Sequence, residues 1–593
     1  MGKKLRFEGP IVAKPQHPWG IISLSRGLPT IPIVMWPGGT LMLRRHVIWG
    51  MSANIFSEGE GMFSMRGQTH LIGAAQKILT GAGVATATAI FGFVFSAVTF
   101  GTIPTANALP SYARQTGQPC GTCHTDYPGL TPYGRLFKLG GYTAGGGKYR
   151  STLFPSQSDS TKALAAYTKK WGSDLPTKAP SDTSQDNSQD HPYAPPISMM
   201  AIVGFTHTQV SLFPSAPYNS NDNVVVAPVS LFYGGAITEH IGAFAQVTYN
   251  GSEFGYQGNP NYGIDPNLGH QISWDNVDVR YANTGMIGDM PITYGITANN
   301  NPSLQDPWNT TPAWSFPQAA STIAPGPGAG TLIDGTFAAH VAGAGGYVWI
   351  NNLVYLELSG YRTVNYNALN KLGINPFDAP GTFEGVAPYW RVAVEPHWGN
   401  HWLEFGAFGM SARVHPWNQN LEALDPNGQF QNVTLPLTDR YTDIGFDSQY
   451  QYQGPNYWIT LRATYIHENQ TLDATFANTG STNPTNTLDT FRALASLAYG
   501  NDNRVVLTGQ YFNTQGSSDA LLYGANPGCA CSPNSDGFIA EVAYIPFISS
   551  QAPGWPWANV RVGLQYTYYN KFDGDTVFAH DNNTLFGYVW FAM

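Results

Sequence analysis

Five consecutive residues, Cys120-Gly121-Thr122-Cys123-His124, put two thiols three positions apart with an imidazole directly after the second. A C-x-x-C-H run is the attachment pattern of a c-type haem. Both thiols add to the vinyl groups of the porphyrin, and the adjacent histidine ligates the iron from one face. Two other chemistries use the same residue types. A thioredoxin-like redox pair needs a βαβ setting, which the surrounding sequence lacks. A structural zinc site needs a second pair of ligands close by, and the remaining cysteines, Cys529 and Cys531, lie far along the chain. The run is therefore read as one covalently bound haem c, held by Cys120, Cys123 and His124, with His124 as the metal ligand. Met199, Met200, His191 and His207 are the nearest downstream candidates for the sixth iron position, and Met or His would both suit an electron-transfer haem. A lone histidine in a strand is usually a polar lining residue, so the choice among them stays open.

The elements around this motif say where it works. An apolar run from Ile78 to Thr99 follows Arg66 and Lys77 and precedes Ala106-Asn107-Ala108. A basic flank, an apolar core and a small-x-small site make a secretory signal cleaved after Ala108. The alternative is a retained anchor, because the run is long for a signal core. Residues 1–108 are thus a leader, and export brings the motif into an oxidising compartment. Residues 109–150 form a monohaem cytochrome segment in which Leu136 to Leu139 closes a short helix. Residues 151–197, rich in Ser, Thr and Pro, read as linker. So short a haem segment cannot bury a cytochrome core alone; it must lean on something else.

Composition names the support. Only 11% of the 593 residues are charged and 13% are aromatic, with 65 Gly and 43 Pro spread along the chain. Ordinary soluble proteins are about 25% charged. The net charge of −9 and the lack of a long basic run exclude an electrostatic nucleic-acid binder. Four cysteines cannot staple so long a chain. From Ala201 onward 29 acidic residues face only 11 basic ones, which marks a change of region near Pro195.

Beyond Met199 the chain alternates apolar and polar residues again and again. Val560, Val562, Leu564, Tyr566 and Tyr568 share one face, with Arg561, Gly563, Gln565 and Thr567 on the other. Segments of about ten residues with this period are the signature of a transmembrane barrel; a soluble β-sandwich would have shorter strands and closer turns. Sixteen such segments run from 198–212 to 582–592, among them 335–349. Short connections at Thr238–His240, Ile350–Asn351, His397–Gly399, Gln453–Pro455 and Gly500–Asp502 alternate with long ones, including Asn299–Asp334. Outer-membrane barrels have short periplasmic turns and long extracellular loops. The expected fold is an all-β, roughly 16-stranded antiparallel outer-membrane β-barrel over 198–593, with both ends periplasmic and the haem segment plugging the lumen from that side. Asp278, Arg280, Glu357, Arg391, Glu395, Glu404, Asp443, Asp447, Arg462, Arg492, Arg504, Glu541 and Arg561 fall on the inward parity. Avoidance of lipid explains that placement by itself, although the acidic excess could also draw a cation inward. Cys529 and Cys531 fall in an outside loop, where they are either without function or a redox or metal pair.

The stretch Leu109–Tyr142 carries Ala-Arg-Gln-Thr-Gly, C-x-x-C-H-T, Pro-x-Leu and Gly-Arg-x-Phe-Lys-x-x-Gly-Tyr. It resembles the haem segment of the fused cytochrome–porin family, the monohaem outer-membrane c-type cytochromes of iron-oxidising bacteria. Ala298-Asn-Asn-Asn-Pro-Ser-Leu-Gln-Asp-Pro-Trp-Asn-Thr-Thr-Pro-Ala-Trp314 is similar to a loop of that family's porin part. The resemblance implies an Fe(II)-oxidising cytochrome c of the iron:cytochrome c oxidoreductase type. Fe(II) would be the donor, a periplasmic cytochrome or cupredoxin the acceptor, and outer-membrane lipid the surroundings. It transfers no Fe(II) site and no catalytic residue. The alternative is a solute porin whose haem segment is a redox sensor or structural plug.

Overall fold

The computed structural model describes residues 109–143, 196–212, 221–249, 272–288, 290–417, 437–524 and 531–593, with backbone alone at 21–22, 33–34, 227, 420–424 and 430–434. The leader with its site after Ala108, most of the linker, His191 and Cys529 lie outside the described residues.

Sixteen strands close into one antiparallel barrel. They are β1 (Ile197–Thr208), β2 (Asp222–Ala236), β3 (Ile241–Tyr249), β4 (Ile272–Ile287), β5 (Met290–Asn299), β6 (Val341–Ile350), β7 (Val354–Thr363), β8 (Ala387–Val394), β9 (His401–Pro416), β10 (Asp439–Gln453), β11 (Tyr457–Thr471), β12 (Thr485–Tyr499), β13 (Arg504–Gly516), β14 (Ser535–Ile545), β15 (Asn559–Lys571) and β16 (Thr584–Ala592). Each pairs with its neighbours in sequence, and β16 returns to β1 with Ala592 opposite Met200 and Thr584 opposite Thr208. Closure pairs every strand edge, which a bilayer demands because lipid offers no hydrogen bonds.

Burial follows the two-residue period. In β8, Ala387, Tyr389, Arg391 and Ala393 are buried while Pro388, Trp390, Val392 and Val394 point out. All thirteen inward charges expected from parity face the lumen: eleven are buried, and Arg462 and Arg492 are half-buried. The outer surface shows residues such as Ile296, Leu358, Phe405, Phe446, Leu507 and Phe538. An Arg or Lys there would cost about 2–4 kcal/mol at the bilayer midplane. The barrel is built to sit in a membrane.

Short turns gather at the end that also holds the start of β1 and the end of β16. At the turn after β6, Asn351 and Asn352 take φ of 53° and 51°, a left-handed conformation that asparagine tolerates. The connection 546–558 between β14 and β15 departs from this pattern by its length, and it packs on the haem-motif segment.

The expected outside loop after β5 does not stand outside. Residues 300–340 fold into the lumen, and β6 starts at Val341 rather than 335, because Leu332–Thr336 forms a tight turn with Gly335 at φ 84°. The wall charges explain the inward fold. A charge in a low-dielectric interior needs partners, and the loop supplies them. Gln305 donates to Glu357 at 2.5 Å, the Thr310 hydroxyl donates to Asp447, and the Trp308 indole donates to Glu395. Further along, the backbone N–H groups of Leu332 and Ile333 donate to Glu468 and Asp443 at 2.6 and 2.9 Å.

Asp306 is the knot of this loop. Its carboxylate accepts from the backbone N–H groups of Trp308, Thr310 and Thr311 at 3.0, 2.9 and 3.0 Å, and Arg391 on β8 stands 3.4 Å away. Burial opposes its ionisation, but Arg391, Lys138 and those N–H groups outweigh burial and hold its pKa down to about 2. An unfolded Asp titrates near 3.9. The stabilisation is therefore complete above about pH 4 and is lost as pH falls through about 2. We expect exchange protection of the Trp308, Thr310 and Thr311 amides, corrected for intrinsic rate, to be flat above about pH 4 and to decline below it. In Asp306→Asn it should drop about 10–100-fold at neutral pH, since hydrogen bonds to a charged group are worth about 1.5–3 kcal/mol. Unchanged protection in that variant would exclude Asp306 as the anchor.

Candidate functional site

Three short helices precede the barrel strands: α1 (Pro110–Thr116), α2 (Cys120–Cys123) and α3 (Pro132–Leu139). The second is a single turn, so its two thiols stand on neighbouring positions of one face. His124 caps it, its N–H donating to the Cys120 carbonyl at 3.0 Å. Thr131 caps α3 by accepting from Gly134 N–H at 3.2 Å, and its hydroxyl donates to the Thr122 carbonyl at 2.5 Å. The two helices touch at Gly134: a Cβ there would stand 2.3 Å from the Cys123 carbonyl oxygen, so only glycine allows the approach.

The segment sits in the lumen at the short-turn end, held by buried polar contacts. Arg135 is fully buried, pairing with Glu395 at 2.9 Å and donating to Gln451 at 2.6 Å. Arg504 donates to the carbonyls of His124 and Thr125 at 2.5 and 2.6 Å. Arg561 donates to the Tyr127 carbonyl at 2.7 Å while pairing with Glu541 at 2.5 Å. Tyr142 donates to Asp278 at 2.7 Å. Lys138 donates to the carbonyls of Leu304 and Asp306 at 2.9 and 2.6 Å and lies 4.3 Å from the Trp314 ring centroid, tying the segment to the inner loop. Connection 546–558 clasps it from outside: Gly121 N–H donates to the Ile548 carbonyl at 3.1 Å, and Arg114 lies over the Trp557 ring. Gly134, Arg135, Lys138 and Tyr142 of the Gly-Arg-x-Phe-Lys-x-x-Gly-Tyr run thus each have a physical task. The expectation that so small a segment must lean on other structure is met by the wall and the inner loop together.

Cys120, Cys123 and His124 open onto one cavity of about 440 Å³, within the roughly 300–1,000 Å³ of ligand and cofactor pockets. Its walls are mostly apolar and aromatic: Leu109, Tyr112 and Phe137 from the segment, Phe232 and Phe244 from the barrel, and Trp314 from the inner loop. Burial pushes the Cys120 thiol up and the Cys123 thiol to about 12, and it lowers His124 to about 4, the backbone at Gly129 and then the Asp126 carboxylate offsetting only part. The imidazole is neutral, the form that ligates a metal. Its Nδ1 is buried without a hydrogen-bond partner. Two thiols, a neutral imidazole and an apolar cofactor-sized space fit a covalently bound haem, which Cys120 and Cys123 would attach and His124 would ligate.

The sixth-position candidates separate. Met199 is 40% exposed on the outer face, and His207 pairs with Asp222 at 2.8 Å near the far end of β1. Met200 lines the cavity. Cys531 lies away from this site, in the connection between β13 and β14. Sequence reasoning missed the inner loop as part of the site. The signal was present in the Pro- and Trp-rich run around Asp306, but only the folded lumen shows that it points inward.

A closed barrel with an apolar exterior and a polar lumen is a transmembrane β-barrel of the outer-membrane type. Solved structures with a similar fold include a loop-deleted OmpT, an outer membrane protein of Vibrio cholerae (11% identity, TM-score 0.34, covering 67% of this chain and 98% of that one). OmpF of Salmonella typhi in complex with daunomycin (12%, 0.37, 67% and 97%) and the outer membrane channel DcaP of Acinetobacter baumannii (9%, 0.34, 67% and 96%) are others. No protein-family model and no curated protein matches the chain.

We expect Gly134→Val to force α3 away from Cys123 while the barrel stays assembled. Trypsin should then cut after Arg135 or Lys138, both buried in the native chain, at least about tenfold faster than in the unaltered protein, a shift of about 1.4 kcal/mol in local opening. Equal resistance would remove the role given to Gly134.

Proposed function

We propose that this chain is an outer-membrane electron-transfer protein that oxidises extracellular Fe(II) with one c-type haem and passes the electron to a periplasmic cytochrome or cupredoxin. The carrying observation is that Cys120, Cys123 and His124 open together onto one apolar cavity inside the barrel. The resemblance of Leu109–Tyr142 to the cytochrome–porin haem segment supports the same reading. Bound there, the haem supplies a one-electron couple, which matches the loss of one electron as Fe(II) becomes Fe(III).

The chain's own residues bind, orient and shield. Cys120 and Cys123 hold the group so that it cannot leave the lumen. Arg504, bonded to the carbonyls of His124 and Thr125, fixes the backbone behind the imidazole, and the aromatic walls would shield a bound haem from water. Burial and hydrogen bonding of this kind are the levers that tune a haem potential. The segment and inner loop occupy much of the lumen, so the barrel serves as a sheath that carries the redox group into the membrane. In this reading the short-turn end is periplasmic and faces the acceptor, and the long loops are extracellular.

The double variant Cys120→Ala/Cys123→Ala should lose covalent haem on a denaturing gel while the barrel still runs as a folded species. Fe(II) added to the unaltered protein should reduce its haem, followed optically at several pH values. A colourless protein, or a haem indifferent to Fe(II) in a barrel that conducts solutes freely, would overturn the proposal in favour of a porin.

A further inference from the structure

A haem held by Cys120, Cys123 and His124 would leave room for a second protein ligand to its iron, and the cavity offers few groups to supply one. Among the described residues lining the cavity, Met200 is the only methionine and His124 the only histidine. Other potential ligands there are engaged elsewhere. Lys138 is bound to two carbonyls, Tyr142 to Asp278, Tyr112 to the Ala243 carbonyl at 3.3 Å and Tyr127 to Asn559.

Strand geometry puts Met200 on the right face. In β1, Ser198 and Ile202 are buried and Met199 and Val203 are exposed, so Met200 shares the lumenal parity. It packs in the same apolar cluster as Cys123, Tyr133, Phe137 and Phe244. The wall beside it is irregular: pairing of β1 with β2 slips between Ala201 and Ile202, where Val229 and Ala227 are their partners and Pro228 is skipped. Proline cannot donate to a ladder and is found in sheets at bulges, and Pro228 also lines the cavity.

We propose that Met200 would supply its thioether sulfur, together with the His124 imidazole, to the iron of a haem held in this cavity. This rests on the haem reading above. It adds that two protein ligands would leave no iron position free for substrate, so Fe(II) would give up its electron without bonding to the haem iron. A methionine ligand also raises the haem potential, in the direction that favours taking an electron from Fe(II).

The test is spectroscopic. The purified full chain should show a low-spin ferric haem with a sulfur-to-iron charge-transfer band. Met200→Ala should lose that band, become high-spin, and bind added imidazole at least tenfold more tightly. Met200→His should remain low-spin without the band and show a lower midpoint potential, which separates ligation from a packing role. Met199→Ala should match the unaltered protein. A low-spin spectrum with the charge-transfer band intact in Met200→Ala overturns the assignment while leaving covalent haem in place, whereas a colourless unaltered protein overturns the haem reading itself.

Discussion

The constraint on which this molecule depends is that charge cannot face lipid and cannot stay unpaired in a closed lumen. The first half places every expected wall charge on the inward parity. The second half obliges the chain to bring partners to them. Arg391 is answered by Asp306 of the inner loop as well as by Glu404 and Asp447 of the wall, and Glu395 by Arg135 of α3 and the Trp308 indole. Replacing such pairs by apolar groups is often neutral, but removing one partner costs about 3–5 kcal/mol. The wall, the loop and the small helical segment are therefore held as one polar network.

That network solves the problem of the haem-motif segment. Three helices of seven, four and eight residues have too little apolar surface to form a core. Inside the barrel they borrow one. Their apolar faces meet Phe232 and Phe244 of the wall and Trp314 of the loop, while their charged residues meet the wall's buried partners. The barrel gains a filled interior and the segment gains burial that its length denies it.

Much of this was legible in the residues. C-x-x-C-H is a local pattern, and its three side chains do share one cavity. The two-residue period located all sixteen strands, within a few residues everywhere but at the start of β6, because a half-lipid, half-lumen strand must alternate. Other features were not legible. The parity of Met199 against Met200 depends on which face of β1 is lumenal, and the length of the connection 546–558 gave no sign that it would clasp α2. Asp306 looked like one acid in an exposed loop, since its role needs Arg391 and Lys138, distant in sequence.

The sequence by itself determined the alternation, the number of strands, the side of each wall charge and the local spacing of the thiols and imidazole, all of which act over a few consecutive residues. Only the tertiary structure decided that residues 300–340 turn inward, that the short helices rest at the short-turn end, and that Met200 rather than Met199 or His207 joins the cavity. Those outcomes are set by pairing between charges and apolar faces far apart along the chain, and such pairings exist only once the barrel has closed.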